Sequence, residues 1–234
     1  MEEKIAVLIP VHNEEKNITY IIEKLKKKIK TIIVIDDGST DNTFHIIKNS
    51  GVIVLRHETC KGKGEALKTG FKYIVAEKIP AVITMDGDGQ HKVEDIENFL
   101  LAYRKKPKVS IWIGKRKIFS TNMPFLRKVT NISMSLLISF LAGQFIPDSQ
   151  SGFRLIKREV LEKINLITSH FETESEILIK SSWKGFKISS VPIVTVYEGE
   201  KSKINSVSDT LRFFKMIIFL CCPLLRKIKW TLKN

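Results

Sequence analysis

Three cysteines in 234 residues, Cys60, Cys221 and Cys222, show no metal-type spacing, and an odd count with two adjacent thiols does not suggest a disulfide framework. A reducing cytosol is the compartment this favours. No apolar run reaches the roughly 18 to 20 residues that span a bilayer. Residues 131–146 and 213–225 come nearest, and the second is interrupted by Lys215 and Pro223. The charged start, Met1-Glu2-Glu3-Lys4, leads directly into a strand pattern with no secretory apolar core before it, so the catalytic part is expected in the cytoplasm. Repeats of solenoid period and low-complexity tracts are absent. Acidic residues fall short of basic ones, 25 against 39, and the net charge of +14 favours an anionic partner: nucleic acid, a phosphorylated substrate or an acidic membrane. A stripe of interleaved aromatics is missing, as is any known nucleic-acid motif, which argues against the first of these.

What the chain does have is alternation. Ile5 to Ile9 and Ile32 to Ile35 are continuous apolar runs, ended by Pro10 and Asp36, and read as buried parallel strands. Between them, Ile18, Ile21, Ile22, Leu25 and Ile29 recur at helical spacing within Glu14 to Ile29. The order continues as strand 52–55, helix 63–77, strand 81–85, helix 93–104 and strand 109–113. This predicts an α/β domain with a mostly parallel sheet, helices on both faces, and ligands at the carboxyl ends of the strands. The domain is expected over 1–205. Residues 206–234 form a separate apolar and basic helical segment, in which Arg226, Lys227, Lys229 and Trp230 follow the apolar run as in a helix lying at a membrane surface. Burial of that helix against the domain or in a dimer is the alternative; oligomeric state is not readable.

Residues 82–91, Val-Ile-Thr-Met-Asp-Gly-Asp-Gly-Gln-His, carry an apolar strand into two carboxylates one residue apart, Asp86 and Asp88. Gly87 lets the backbone bend so that both can face one hard cation, and the amide oxygen of Gln90 is spaced to reach it. An all-oxygen ligand set favours Mg²⁺ or Mn²⁺ over zinc. Taken alone, the same residues also fit a polar turn closing a strand.

Four blocks stand together: Ile9-Pro10-Val11-His12-Asn13-Glu14, Asp36-Asp37-Gly38-Ser39-Thr40-Asp41, Lys61-Gly62-Lys63-Gly64, and Met85 to His91. In this order they resemble the inverting glycosyltransferases of family 2, which have the GT-A fold, over about residues 4–205. The resemblance implies that Pro10, Val11, His12, Asn13, Glu14, Ile35 and Asp37 surround a nucleotide base, with Pro10, Val11 and Ile35 as walls and Asp37 as acceptor for the imide edge. It implies that Asp86, with Gly87, lies at the ribose and diphosphate, and that Asp88 is the main metal ligand, with Asp86 and Gln90 beside it. Such a metal neutralises the departing nucleoside diphosphate. Asp36 reads better as a cap for the helix that begins near Ser39. Lys61 and Lys63 fit either a phosphate contact or a turn. Farther on, Ile113-Gly114-Lys115-Arg116, Pro124-Phe125-Leu126-Arg127-Lys128 and Asp148 to Arg154 resemble dolichyl-phosphate mannose synthases and bacterial polyprenyl-phosphate glycosyltransferases. There Arg116 and Arg127 would face the phosphates of donor and acceptor, a task for which a planar guanidinium suits better than lysine. Lys203 would approach the diphosphate.

The implied reaction transfers a hexose from GDP-mannose or a UDP-hexose to a polyprenyl phosphate on the cytoplasmic membrane face. A phosphate monoester is already anionic and needs no base, whereas a hydroxyl does. Glu172 and Glu174 lie where that base would fall. Glu172 is retained as the site residue for the alternative, transfer to a hydroxyl of a lipid-linked or cell-surface glycan, although both acids also fit the start of a helix.

Overall fold

Side chains of the strand β1 (Ile5–Val11) alternate between two faces that are both buried, which is why the run is apolar throughout. Ile5, Val7, Ile9 and Val11 enter one core cluster; Ala6 and Leu8 enter another on the opposite face. The computed structural model describes residues 5–116, 125–194 and 206–221. Seven strands form one sheet: β1, β2 (Thr31–Asp37), β3 (Ile53–His57), β4 (Ala81–Thr84), β5 (Ile111–Arg116), β6 (Arg154–Lys157) and β7 (Ile188–Ile193). Their order is β3-β2-β1-β4-β6-β5-β7. All pairings are parallel except those of β6, which runs antiparallel to both β4 and β5. The expected α/β sheet is therefore present, with one reversed strand that the alternation did not announce.

The first face is covered by α1 (Ile18–Lys26), α2 (Thr43–Lys48) and α4 (Ile96–Lys105). In α1 the buried residues are Ile18, Ile21, Ile22 and Leu25, one stripe of a 3.6-residue helix. The helix starts with its first apolar residue, Ile18, rather than at the expected Glu14, because Asn13 adopts a left-handed conformation (φ 54°) and the carbonyl of Glu14 closes a turn onto Asn17 and Ile18. The second face holds α3 (Lys63–Ala76), α5 (Phe125–Ala142), α6 (Arg158–Lys163), α7 (Glu172–Trp183) and α8 (Ser206–Cys221).

α8 docks on α7, burying Phe213, Met216 and Leu220 in the second core cluster. Leu211, Phe214 and Ile218 face outward. The described part of the C-terminal segment thus has an inner apolar face packed on the domain and an outer apolar face that is not. No helix among the described residues is long and apolar enough to cross a membrane. Residues 226–230 lie outside the described residues.

Candidate active site

The carboxyl ends of β1, β2, β4 and β5 open onto a cavity of about 460 Å³. Pro10, Val11, His12, Glu14, Asp37, Lys63, Asp86, Gly87, Asp88, Gln90 and Arg116 all line it. Residues separated by a hundred positions converge here because parallel strands end on the same side of the sheet.

Asp37 is the hub at the end of β2. Its Oδ1 accepts from His57 Nδ1 at 2.7 Å and Lys61 N at 2.9 Å, and its Oδ2 from Gly62 N at 2.7 Å and the Cys60 thiol at 3.3 Å. Burial works against the charged carboxylate, but these donors outweigh it and hold Asp37 below its ordinary pKa. Its oxygens are thus engaged in shaping the 60–62 loop, where Gly62 takes a left-handed φ of 96° that a side chain would resist. His12 Nδ1 donates to the Asp37 carbonyl at 2.8 Å. Asn13 does not line the cavity; its Oδ1 accepts from Thr40 N at 2.9 Å and its own N–H donates to Ser39 Oγ, clamping the turn after β2. Asp36 is buried, accepts from Ser39 N at 3.2 Å and meets Arg56 Nε at 3.0 Å, a structural role. Capping of α2 itself falls to Asp41, whose Oδ1 accepts from Thr43 N. Ile35 is fully buried in the second core cluster and is not part of the cavity wall.

Across the cavity, Lys63 Nζ lies 2.6 Å from Asp86 Oδ1 and 3.2 Å from Glu174 Oε1. Burial opposes the Lys63 charge, yet the two carboxylates raise its pKa above the ordinary value. Asp86 is likewise penalised by burial and held low by Lys63, His91 and Arg154. Asp88 shifts the other way: burial and the adjacent charge of Asp86 both push it up. Burial lowers the pKa of His91, whose Nδ1 accepts from Asp86 N at 3.4 Å while its ring stacks on Phe153. Two carboxylates, one of them destabilised by the other, with the amide of Gln90 on the same wall, form an oxygen donor set that fits a hard divalent cation. No cluster of three or more His, Cys, Asp or Glu side chains suited to a metal occurs among the described residues. A site with two carboxylates is the kind that Mg²⁺ completes with substrate phosphates and water.

Arg116 is fixed by Asp148, which is fully buried: Nε to Oδ2 and Nη2 to Oδ1 are both 2.8 Å, a bidentate pair. Arg154, also buried, donates to the carbonyls of Ser149, Ser151 and Glu174, tying the 149–151 loop to the start of α7. Neither Asp148 nor Arg154 had been assigned a role from sequence, and the signal was there in their shared motif. Of Glu172 and Glu174 on α7, Glu174 lines the cavity and Glu172 does not; Glu172 is buried, and its Oε2 has no hydrogen-bond partner among the described residues. Helical spacing separates them, since Phe171, Glu174 and Ser175 share the cavity face. Arg127 falls in the first turn of α5 with its side chain outside the described residues, and Lys203 lies outside them altogether.

Residues 6–165 match the profile described as Glycosyl transferase family 2. The chain is 34% identical over 241 residues to a UDP-N-acetylglucosamine--dolichyl-phosphate N-acetylglucosaminyltransferase of Methanococcus voltae, covering 92% of this chain and 95% of that one. It is 30% identical over 231 residues to a polyprenol monophosphomannose synthase of Mycolicibacterium smegmatis, covering 92% and 86%. Among solved structures, glucosyl-3-phosphoglycerate synthase from Mycobacterium tuberculosis, in complex with Mn²⁺, UDP and phosphoglyceric acid, superposes with a TM-score of 0.74 at 19% identity, over 93% of this chain and 78% of that one. Sheet order, cavity position and profile agree: the chain belongs to glycosyl transferase family 2 and has the GT-A fold.

Proposed function

We propose that the protein transfers a hexose from a nucleotide diphosphate sugar, GDP-mannose or a UDP-hexose, to a polyprenyl phosphate, inverting the anomeric centre. The observation that carries this reading is the double character of α5. Asn131 of that helix lines the cavity, while Phe125, Val129, Leu136 and Phe140 of the same helix are exposed to the outside. A cavity with carboxylate and guanidinium groups beside an exposed apolar surface suits an acceptor with an anionic head and a hydrocarbon tail. The names of the M. voltae and M. smegmatis relatives, one a dolichyl-phosphate and the other a polyprenol enzyme, support the same acceptor class.

Asp86, Asp88 and Gln90 are the residues that would hold Mg²⁺ or Mn²⁺, and the metal would supply neutralisation of the departing diphosphate. Pro10 and Val11 border the space for the base, and the Asp37-bound loop fixes that border. Arg116, held rigid by Asp148, and Arg127 would orient phosphate oxygens, which places an already ionised nucleophile in line behind the anomeric carbon. Lys203 is assigned to the diphosphate. We further propose that the enzyme works on the cytoplasmic face of the membrane as a peripheral protein, with the outer face of α8 and the residues after it against lipid.

Glu174 favours one second reading, transfer to a hydroxyl, because its carboxylate stands in the cavity as a base would. Against it, the carboxylate is already engaged by the Lys63 ammonium, 3.2 Å from its Oε1. The two readings make opposite demands. With a phosphate acceptor, Arg127→Ala cripples transfer and Glu174→Gln and Glu172→Gln are milder; with a hydroxyl acceptor, the carboxylate variant loses about 10²- to 10⁴-fold. Initial rates at saturating donor with a short-chain polyprenyl phosphate decide it. Collapse in Glu174→Gln beside a near-normal Arg127→Ala would overturn the phosphate reading.

A further inference from the structure

Lys63 is the residue whose surroundings exceed what a phosphate contact requires. It leaves the first turn of α3, whose entry is pinned by Asp37 through Lys61 N and Gly62 N. Its ammonium is set between two acids on different elements, 2.6 Å from Asp86 Oδ1 and 3.2 Å from Glu174 Oε1. Gly152 closes the cluster. A β-carbon there would stand 2.8 Å from Glu174 Oε1, 2.9 Å from Asp86 Oδ2 and 3.0 Å from Lys63 Nζ, so a side chain at 152 would push the three charged ends out of their present arrangement.

We propose that Lys63 competes with the divalent cation for Asp86, and that Glu174 is the acid onto which Lys63 withdraws when the cation binds. This rests on the reading of Asp86, Asp88 and Gln90 as the metal site. An ammonium at hydrogen-bond distance takes the lone-pair direction of Oδ1 that a cation would use, and two cations crowded on one carboxylate repel each other. Glu174 supplies a second anion on the far side of the ammonium, so Lys63 can yield Asp86 without losing a partner. The consequence is a metal site that is weak by itself and strengthens with the donor, whose anionic diphosphate gives Lys63 a further place to go. Glu174 is then a positioning residue, acting on the metal through Lys63.

The test is Mn²⁺ binding to the full-length protein, read from the electron paramagnetic resonance signal of free Mn²⁺, with and without UDP. The variants are Lys63→Met, Lys63→Arg, Glu174→Gln and the double variant Lys63→Met/Glu174→Gln, each checked for a cooperative thermal transition. Without UDP, Lys63→Met should bind Mn²⁺ about 3- to 100-fold more tightly than wild type, the span of coupling between groups in contact. Lys63→Arg, which keeps the charge, should stay near wild type and so separates charge from packing. Glu174→Gln should weaken Mn²⁺ binding in the wild-type background and do so less than half as strongly beside Lys63→Met. Equal or weaker binding in Lys63→Met overturns the competition, and an undiminished Glu174 effect in the double variant overturns the positioning role. If wild type fails to bind Mn²⁺ both with and without UDP, the metal-site reading itself falls, and this inference with it.

Discussion

Two glycine-to-alanine substitutions should separate the charged cluster of the cavity from the core that supports it. At Gly152 the added β-carbon meets only the far ends of Glu174, Asp86 and Lys63, at 2.8 to 3.0 Å. Ordinary contact begins near 3.4 Å, so each end must retreat by about half an ångström. All three ends belong to side chains of the cavity wall, and they can move without disturbing the two core clusters. At Gly70, on the inner side of α3, the β-carbon instead falls 2.3 and 2.5 Å from the two methyls of Leu8, a fully buried residue of β1. Overpacking of this kind typically costs about 1–3 kcal/mol, partly offset by the ~1 kcal/mol that alanine contributes over glycine in a helix. A net loss of up to about 2 kcal/mol lowers the thermal midpoint of a chain this size by up to roughly 8 °C. Gly152→Ala should do the reverse: little change in midpoint, but about 10²-fold lower kcat/KM, the scale of effect when reacting groups are misplaced by up to an ångström. Both quantities are measured on purified protein, with rates taken well below either midpoint. Wild-type kcat/KM in Gly152→Ala would refute the claim that transfer depends on the placement of the Asp86, Lys63 and Glu174 ends that a glycine at 152 permits.

Asp88→Ala is expected to abolish transfer while leaving the thermal midpoint near wild type, because it removes a half-buried carboxylate crowded by Asp86; Asp36→Ala should retain activity and lower the midpoint, since it frees Ser39 N and takes the carboxylate from Arg56. Full activity in the Asp88 variant would sink the metal assignment. Asp37 has a folded-state pKa below its ordinary 3.8, so the stability it contributes is complete above the unfolded value and disappears as pH falls through the depressed one. The midpoint gap between wild type and Asp37→Asn should therefore be flat from about pH 5 to 7 and close in stronger acid; a gap that widens on acidification contradicts it. On α8, replacing Leu211, Phe214 and Ile218 by serine should leave the fold intact and cut co-sedimentation with anionic vesicles by about tenfold or more, given ~25 cal/mol for each Å² of apolar surface withdrawn from lipid. Phe213→Ser, one residue along but buried, should destabilise the fold instead, and vesicle binding unaffected by the triple variant would remove α8 as the lipid-facing element.

The first half of the fold was legible because its signals are local. Buried parallel strands need apolar runs such as Ile5 to Ile9 and Ile32 to Ile35, and the chemistry must follow where they end. Pro10, Asp36, Asp37, Asp86 and Asp88 stand at those ends, and all but Asp36 line the cavity. What the pattern could not say is how each polar group spends its hydrogen bonds. Asp37 looked like an acceptor waiting for a base, and its oxygens are taken up by His57, Cys60, Lys61 and Gly62. Nothing near His57 in the chain marks it as Asp37's partner, because the pairing crosses from β3 to β2. Asn13 and Ile35 are similar cases: both adjoin residues of the cavity, yet one turns to the 39–41 backbone and the other into the core.

The second half was harder because its decisive feature is a reversal. β6 enters the sheet antiparallel between β4 and β5, and only four residues, Arg154 to Lys157, form it. A strand that short, following a loop of small polar residues, carries little periodicity. Yet its direction governs the site. Thr84 at the end of β4 pairs with Arg154 at the start of β6, so the 148–153 loop comes back over the same sheet edge from which Asp86 and Asp88 emerge. Arg154 then sends its guanidinium to the carbonyls of Ser149, Ser151 and Glu174, which fixes that loop and the first turn of α7 together. Asp148 is thereby set to grip Arg116 at the end of β5. One buried arginine next to one reversed strand thus brings Gly152 and Glu174 to the carboxylates of β4, and the acid of α7 that faces the chemistry is Glu174 because it sits one helical turn from Phe171 on the cavity side.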